Sequence, residues 1–274
     1  MSSRINTILI IGATSGIGEA FARRFHQLGK TVIATGRRQD RLDALAKELE
    51  GLHTRKFDIS DLAALSTNVN SILKDFPNLD SVIINAGIQK SFNFFDQSAS
   101  AEQIIGEITT DLTAPTLLVR LFAPHLFKLA KAGTKTNLFI TSSTIAYFPL
   151  SFYPAYCSSK AGVHTLVKIL RQQLSFAHSE VKKNMNVVEI VPPYVDTGLD
   201  EEHREAVTAM QGGPDKAFNA MPMAEYIDKF FENLEQLEAD GSFKKEIAVG
   251  LGQLVVDTWR GSFGKLYEQF GISV

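Results

Sequence analysis

Thr7-Ile8-Leu9-Ile10-Ile11-Gly12-Ala13-Thr14-Ser15-Gly16-Ile17-Gly18 is the stretch on which the fold turns. Five residues, apolar or β-branched, are continuous rather than alternating and predict a strand buried on both faces. Glycines spaced G-x-x-x-G-x-G follow at once. Ile17, Ala20, Phe21, Phe25 and Leu28 then mark one face of an amphipathic helix, and Gly29 stands where a helix ends in a left-handed residue. Strand, glycine turn and helix in that order aim bare backbone N–H groups and the positive end of a helix dipole at the turn, where a phosphate can approach. Gly12 permits the bend, Gly16 the close approach of a pyrophosphate, and Gly18 tight packing of helix on strand. Thr14, Ser15 and Ile17 complete the candidate binding turn. A plain glycine-rich β–α connection is the alternative, since such motifs also occur without a ligand.

The alternation continues outward. Strands are expected at Thr7–Ile11, Thr31–Thr35, Thr54–Asp58, Ser81–Asn85, Asn137–Ser142, Asn186–Val191 and Glu246–Gly250, most of them β-branched and nearly continuous in apolar character. Leu42, Leu45 and Leu49 mark a second helix, and Leu62, Leu65, Val69, Ile72 and Leu73 a third. Apolar-striped segments follow near 101–131, 156–179 and 223–238. Strands alternating with helices, joined by right-handed crossovers, give an α/β fold: a doubly wound, Rossmann-like, mostly parallel seven-stranded sheet with helices on both faces. We read residues 1–274 as one domain. Residues 196–223 break the rhythm and are expected as a lid insertion over the carboxyl edge of the sheet. Residues 246–274 are a C-terminal strand and helical tail.

Composition narrows the functional classes. The 274 residues are 45% apolar and 21% charged, with a net charge of −2, so neither nucleic acid nor an acidic membrane surface is an expected partner. Cys157 is the single cysteine, which excludes an intrachain disulfide and fits a reducing compartment. The first apolar run is too short for a signal-peptide core, and no stretch approaches the roughly 20 apolar residues of a membrane helix. A cytoplasmic location is expected. The six histidines show no H-x-x-x-H spacing, so no metal is expected.

The second strand ends Ala34-Thr35-Gly36-Arg37-Arg38. An acidic residue there usually holds the ribose 2′-hydroxyl of NAD. Its absence, with Arg37 and Arg38 following, suits a 2′-phosphate and so NADP(H). Two solvated arginines opening the next helix are the alternative.

Tyr156 and Lys160 stand four apart at the start of a helical pattern, on one face and about 6 Å apart along the axis. A free phenol titrates near 10 and is a poor acid/base at neutral pH, and a neighbouring ammonium favours its ionised form. Y-x-x-x-K alone is a common surface pattern. Its company adds weight: a strand ending Thr141-Ser142-Ser143 precedes it, thirteen positions from Ser143 to Tyr156, at the carboxyl edge where such sheets bind ligands.

Taken together, Gly12-Ala13-Thr14-Ser15-Gly16-Ile17-Gly18, Asp58, Asn85-Ala86-Gly87, Ser143, Tyr156 with Lys160, and Pro192-Pro193-Tyr194-Val195-Asp196-Thr197 resemble a classical short-chain dehydrogenase/reductase, over about the first 200 residues. The resemblance implies an oxidoreductase that uses NADP(H), a carbonyl reductase or alcohol dehydrogenase. Tyr156 would be the acid/base. Lys160 would bind the nicotinamide ribose and bias the phenol, and Ser143 would orient the substrate oxygen. Asp58 and Ile59 would lie at the adenine, and Asn85-Ala86-Gly87 beside the adenosine ribose. Pro192, Val195 and Thr197 would border the nicotinamide. The second and long sixth helices are docking faces in the family, which implies a homo-oligomer, dimer or tetramer.

Two departures stand out. Asp111, in Thr109-Thr110-Asp111-Leu112-Thr113-Ala114, occupies the place of a catalytic asparagine, where it could hold a water-linked relay to Lys160 or pair with it directly. Pro193 replaces the usual glycine after Pro192, which stiffens that loop. Phe92, Phe94, Phe95, Phe148, Phe152, Tyr153 and Tyr194 could rim a bulky, apolar substrate site or simply pack the core. Asp111 and Pro193 also keep open a second reading, an NADP(H)-binding sensor or non-redox protein on the same fold.

Overall fold

The computed structural model describes residues 4–96 and 98–274. Seven strands form one sheet in the order β3-β2-β1-β4-β5-β6-β7: β1 Thr7–Ile11, β2 Thr31–Gly36, β3 His53–Lys56, β4 Ser81–Ile84, β5 Thr136–Thr141, β6 Met185–Val191 and β7 Glu246–Ala248. Every pairing is parallel. In chain order, the helices are α1 Gly16–Gln27, α2 Gln39–Glu48, α3 Leu65–Asp75, α4 Ala101–Ile108, α5 Ala114–Lys131, α6 Pro154–Ser175, α7 Ser179–Asn184, α8 Arg204–Met210, α9 Met223–Glu235, α10 Leu251–Trp259 and α11 Lys265–Gln269.

Period-two alternation along the strands builds the two halves of the core. Ile8, Ile10, Val32, Ala34, Phe139, Val188 and Ile190 face α1, α2 and α9. There Phe21 meets Phe230 at 4.4 Å and Phe25 meets Phe231 at 4.9 Å between ring centroids. Leu9, Ile11, Ile33, Val82, Leu138 and Val187 face α3, α5 and α6. Glu189 belongs to this second set by parity, yet it is a fully buried carboxylate.

Several boundaries differ from the sequence expectation. β3 begins at His53 because its register pairs His53 with Ile33 and Lys56 with Gly36. β7 stops at Ala248, and Gly250, with φ +57°, turns the chain into α10. The segment 101–131 is two helices rather than one. A π-helical turn, Thr109–Thr113, joins α4 to α5 and carries Asp111. The segment 156–179 divides into α6 and α7. No helix among the described residues is long and apolar enough to cross a membrane.

β1 and β4 are neighbours, but the crossover from β1 runs to β2 on one side, and the chain reaches β4 on the other. Such a reversal leaves a crevice at the carboxyl ends of the strands. A cavity of about 890 Å³ lies there.

Candidate active site

The glycine turn forms one wall. Gly12 has φ +91°, and its N–H donates to Thr35 O at 3.0 Å, which locks the turn to β2. A Cβ on Gly18 would fall 2.0 Å from Gly12 O, so α1 packs on the strand only without a side chain there. Gly18 therefore braces the turn from behind and does not line the cavity, whereas Gly12, Thr14, Ser15, Gly16 and Ile17 do. Ser15 occupies the N-cap position of α1, but its side chain does not cap the helix. Its hydroxyl instead accepts from Arg38 Nη2 at 2.6 Å, and Thr14 Oγ1 accepts from the same nitrogen at 3.1 Å. The first-turn N–H groups of α1 thus remain free of a side-chain cap, as anion binding requires.

Gly36, where an acid would mark NAD, has a steric reason to be glycine. A Cβ there would lie 2.4 Å from Thr14 Cγ2. Arg37 and Arg38 are exposed and border the same cavity. Asp58, Ile59, Asn85, Ala86 and Gly87 continue the wall from the ends of β3 and β4. Asp58 Oδ1 accepts from Ser60 N and Oγ, at 2.9 and 2.7 Å, and Asn85 Oδ1 accepts from Thr141 Oγ1 at 3.1 Å.

Ser143, Tyr156 and Lys160 line the other half. Ser143 caps a short 3₁₀ turn, Thr144–Ala146, by accepting from Ile145 N at 3.4 Å. Lys160 donates to Thr141 O at 3.1 Å, and its Nζ lies 5.3 Å from the Tyr156 ring centroid. Burial, and then the nearby Asp111 carboxylate, hold the Tyr156 phenol well above its usual range, while hydrogen bonding with Ser143 opposes them. Burial also lowers the Lys160 ammonium, against the attraction of Asp111.

Asp111 does not reach the cavity surface. It is fully buried, and its Oδ1 accepts from Ile88 N at 2.9 Å. Oδ2 has no hydrogen-bond partner. Burial raises its carboxyl to about 7, with Lys160 and the Ile88 N–H pulling the other way. Asp111 and Lys160 face each other across Gly87, where a Cβ would stand 3.1 Å from Asp111 Oδ1 and 3.5 Å from Lys160 Nζ. No ion pair within 4.0 Å joins them among the described residues. One turn earlier lies Glu107, which sequence reasoning missed. It is fully buried, and its Oε1 accepts from Lys90 N at 2.8 Å.

The loop after β6 closes the cavity. Pro192, Val195 and Thr197 line it. Pro192 O accepts from Thr144 N and Oγ1, at 3.0 and 2.8 Å, and Thr197 packs against Gly16. Beyond this loop, Val207, Thr208, Gln211 and Phe218 border the cavity from the 196–223 segment. Asp200 organises that segment by accepting from Tyr194 Oη at 2.6 Å and Arg204 Nη2 at 2.9 Å. Lys90 Nζ reaches Glu202 Oε2 at 2.5 Å across the mouth.

The aromatic residues separate into groups. Phe148, Phe152, Tyr153 and Tyr194 line the cavity. Phe92 and Phe94 do not. Their rings meet edge to face at 5.1 Å beside a smaller hollow of about 360 Å³, and Phe95 is 98% exposed. Cys157 is buried and donates to Leu150 O. No group of three or more His, Cys, Asp or Glu able to hold a metal occurs among the described residues.

A second polar cluster lies behind the site. His164, Lys168 and Arg171 continue down the face of α6 that starts with Tyr156 and Lys160, and all three are buried. Their spacing was visible in the sequence as a polar stripe where an apolar one belongs.

Residues 6–208 match the family model described as short chain dehydrogenase. An uncharacterized oxidoreductase, DltE, of Bacillus subtilis is 33% identical over 96% of each chain. A serine 3-dehydrogenase of Agrobacterium fabrum is 34% identical over 70% of this chain and 72% of its own. Among solved structures, a short-chain dehydrogenase from Sphingobium yanoikuyae in complex with NADPH is 25% identical and superposes with a TM-score of 0.72, covering 95% of this chain and 96% of that one. With a family model spanning most of its length and a relative matching it nearly end to end, the chain belongs to the short-chain dehydrogenase family of oxidoreductases.

Proposed function

We propose that this protein is an NADP(H)-dependent oxidoreductase that interconverts a carbonyl compound and a secondary alcohol, with Tyr156 as its general acid/base. One observation carries the reading: Ser143, Tyr156 and Lys160 open onto the same cavity as the glycine turn and the two arginines. The residues present fit the dinucleotide. A cradle too tight for a Cβ, a helix N-terminus without a side-chain cap and paired guanidinium groups suit pyrophosphate and 2′-phosphate. The NADPH held by the Sphingobium yanoikuyae relative supports the same choice.

When bound, the nicotinamide ring supplies the hydride in reduction and accepts it in oxidation. Ser143 donates a hydrogen bond to the substrate oxygen and orients it. In reduction Tyr156 gives its proton to that oxygen, and in oxidation it takes the proton back. Lys160, anchored on Thr141 O, stands beside the phenol and steadies its ionised form. Asp111 holds the loop after β4 through the Ile88 N–H and sets the charge felt by Lys160 and Tyr156. The 196–223 segment serves as a lid. Ile145, Leu150, Phe152 and Val207 offer an apolar wall, which fits a bulky, apolar substrate. A homo-oligomer, dimer or tetramer, goes with this reading.

The purified protein should oxidise NADPH against a panel of ketones and aldehydes. Tyr156→Phe should lower that turnover at least about 100-fold, the scale of lost general acid catalysis, while NADPH binding stays within about two-fold. Equal turnover in the variant refutes the assignment. Cofactor binding with no hydride transfer to any compound would favour the sensor reading instead.

A further inference from the structure

Directly behind the cavity, β6 carries a carboxylate with three converging donors. Glu189 is fully buried. It accepts from Ser142 Oγ at 2.5 Å, from Tyr147 Oη at 3.0 Å and from His164 Nδ1 at 3.0 Å. Lys168 Nζ lies 2.5 Å from His164 Nε2 and 4.0 Å from Glu189 Oε2. Lys168 Nζ also stands 2.8 Å from His164 Nδ1, so it meets the imidazole between its two nitrogens rather than along either lone pair, and the Glu189 carboxylate takes up the donors that converge on it. The Lys168 ammonium balances the charge and sits 4.2 Å from the Trp259 ring centroid.

The donors come from three elements that the chemistry needs in register. Ser142 precedes Ser143 and Tyr147 follows the 3₁₀ turn, so the two bracket the loop that presents Ser143. His164 lies one helical turn beyond Lys160 on the face of α6 that carries Tyr156. Backbone bonds to β6 reinforce the clamp, with Ser142 N donating to Ile190 O at 2.9 Å.

We propose that Glu189 is a positioning residue that fixes Ser143 relative to Tyr156 and Lys160 by tying the Ser142–Tyr147 loop and α6 to β6. It touches neither substrate nor cofactor. For its kinetic readout the inference rests on the carbonyl–alcohol reading above.

Glu189→Gln tests it, because an amide brings two donors into a ring of three and cannot accept from all of them. Turnover should fall about 10- to 100-fold, the scale of an ångström-sized misplacement, while NADPH binding changes by less than about two-fold. Ser142→Ala removes one of the three donors and should cause a smaller loss, and the double variant should lose no more than Glu189→Gln, since the serine acts through that carboxylate. Additive losses would overturn the proposal. Amide hydrogen exchange gives a readout that does not depend on turnover. Residues 142–148 should exchange faster in Glu189→Gln, with β1 and β2 unchanged. An unaltered 142–148 segment sinks the tether, even if activity drops. If the wild type reduces nothing but the exchange pattern changes as stated, the redox reading fails and the tether stands. Should Glu189→Gln not fold, Tyr147→Phe removes one of the three donors and is read in the same way.

Discussion

Arg38 reaches from the end of β2 to the N-cap of α1, and its Nη2 donates to Ser15 Oγ at 2.6 Å. The contact sets a cation over the turn that would cradle a pyrophosphate, and Arg37 borders the same cavity. Removing either guanidinium deletes a charge-assisted contact to a 2′-phosphate, worth about 1.5–3 kcal/mol. Arg38→Ala and Arg37→Ala should each weaken NADPH at least about ten-fold more than NADH in a binding titration. Equal losses for both dinucleotides would refute a 2′-phosphate contact.

Gly36 stands in the acid's place, so Gly36→Asp is the obvious exchange for turning the protein toward NADH. The geometry argues against success, because the new Cβ would lie 2.4 Å from Thr14 Cγ2 and 3.2 Å from its Cβ. The glycine turn would have to move. The expected outcome is weaker binding of both cofactors rather than a switch, with Thr14→Ala in the same chain restoring part of the loss. A clean gain in NADH affinity from Gly36→Asp alone would contradict this packing.

Asp111 makes stability depend on pH with a definite sign. Burial raises its folded-state carboxyl to about 7, above the value near 3.9 expected in the unfolded chain. Between those values the folded state binds the extra proton, so this contribution to stability is full below about pH 4 and is lost as pH rises to about 7. Asp111→Asn removes the dependence. Its melting temperature should exceed the wild type's by several degrees more at pH 8 than at pH 4.5, given roughly 2–4 °C per kcal/mol for a chain of this size. The same variant should remove any inflection near pH 7 from the turnover profile. A pH-independent difference in melting temperature would count against this placement of the charge.

Phe21 tests the half of the core that seats α1 and α9 on the sheet. Its ring is fully buried and meets Phe25, Tyr226, Phe230 and Phe231. Phe21→Ala should cost about 3–5 kcal/mol in urea unfolding, because a void replaces those contacts. KM for NADPH should change little in the protein that remains folded. A loss below 1 kcal/mol would mean that the aromatic cluster closes over the gap.

The strands and the glycine turn were legible because each carries its own chemistry. Thr7–Ile11 is continuous where a half-exposed strand would alternate, and Gly12 and Gly18 are small where backbone meets backbone. Tyr156 and Lys160 stood out through their company, a strand ending in Ser143 before them and the glycine turn far upstream, and not by spacing alone. The π-helical turn was not legible, because Thr109–Thr113 holds residues that an α-helix also accepts. The fate of Asp111 likewise depends on Ile88 and Gly87, more than twenty positions away. Phe92 and Phe94 were grouped with the cavity by composition, but the chain after β4 carries them to a separate hollow. Glu189 left a trace, a lone acid in the apolar run of β6, whose meaning emerges only beside His164 and Lys168 on α6.

The π-helical turn also absorbs one residue of chain. It closes i→i+5 where an α-turn closes i→i+4, so five residues there turn the helix about as far as four would elsewhere. Leu118, Phe122 and Leu126 therefore keep the azimuth that buries them in the core, while Asp111 is placed beside Gly87. Deleting one residue from Thr109–Thr113 should leave α5 facing as it does and move the carboxylate, so the address of one side chain is uncoupled from the seating of a core helix.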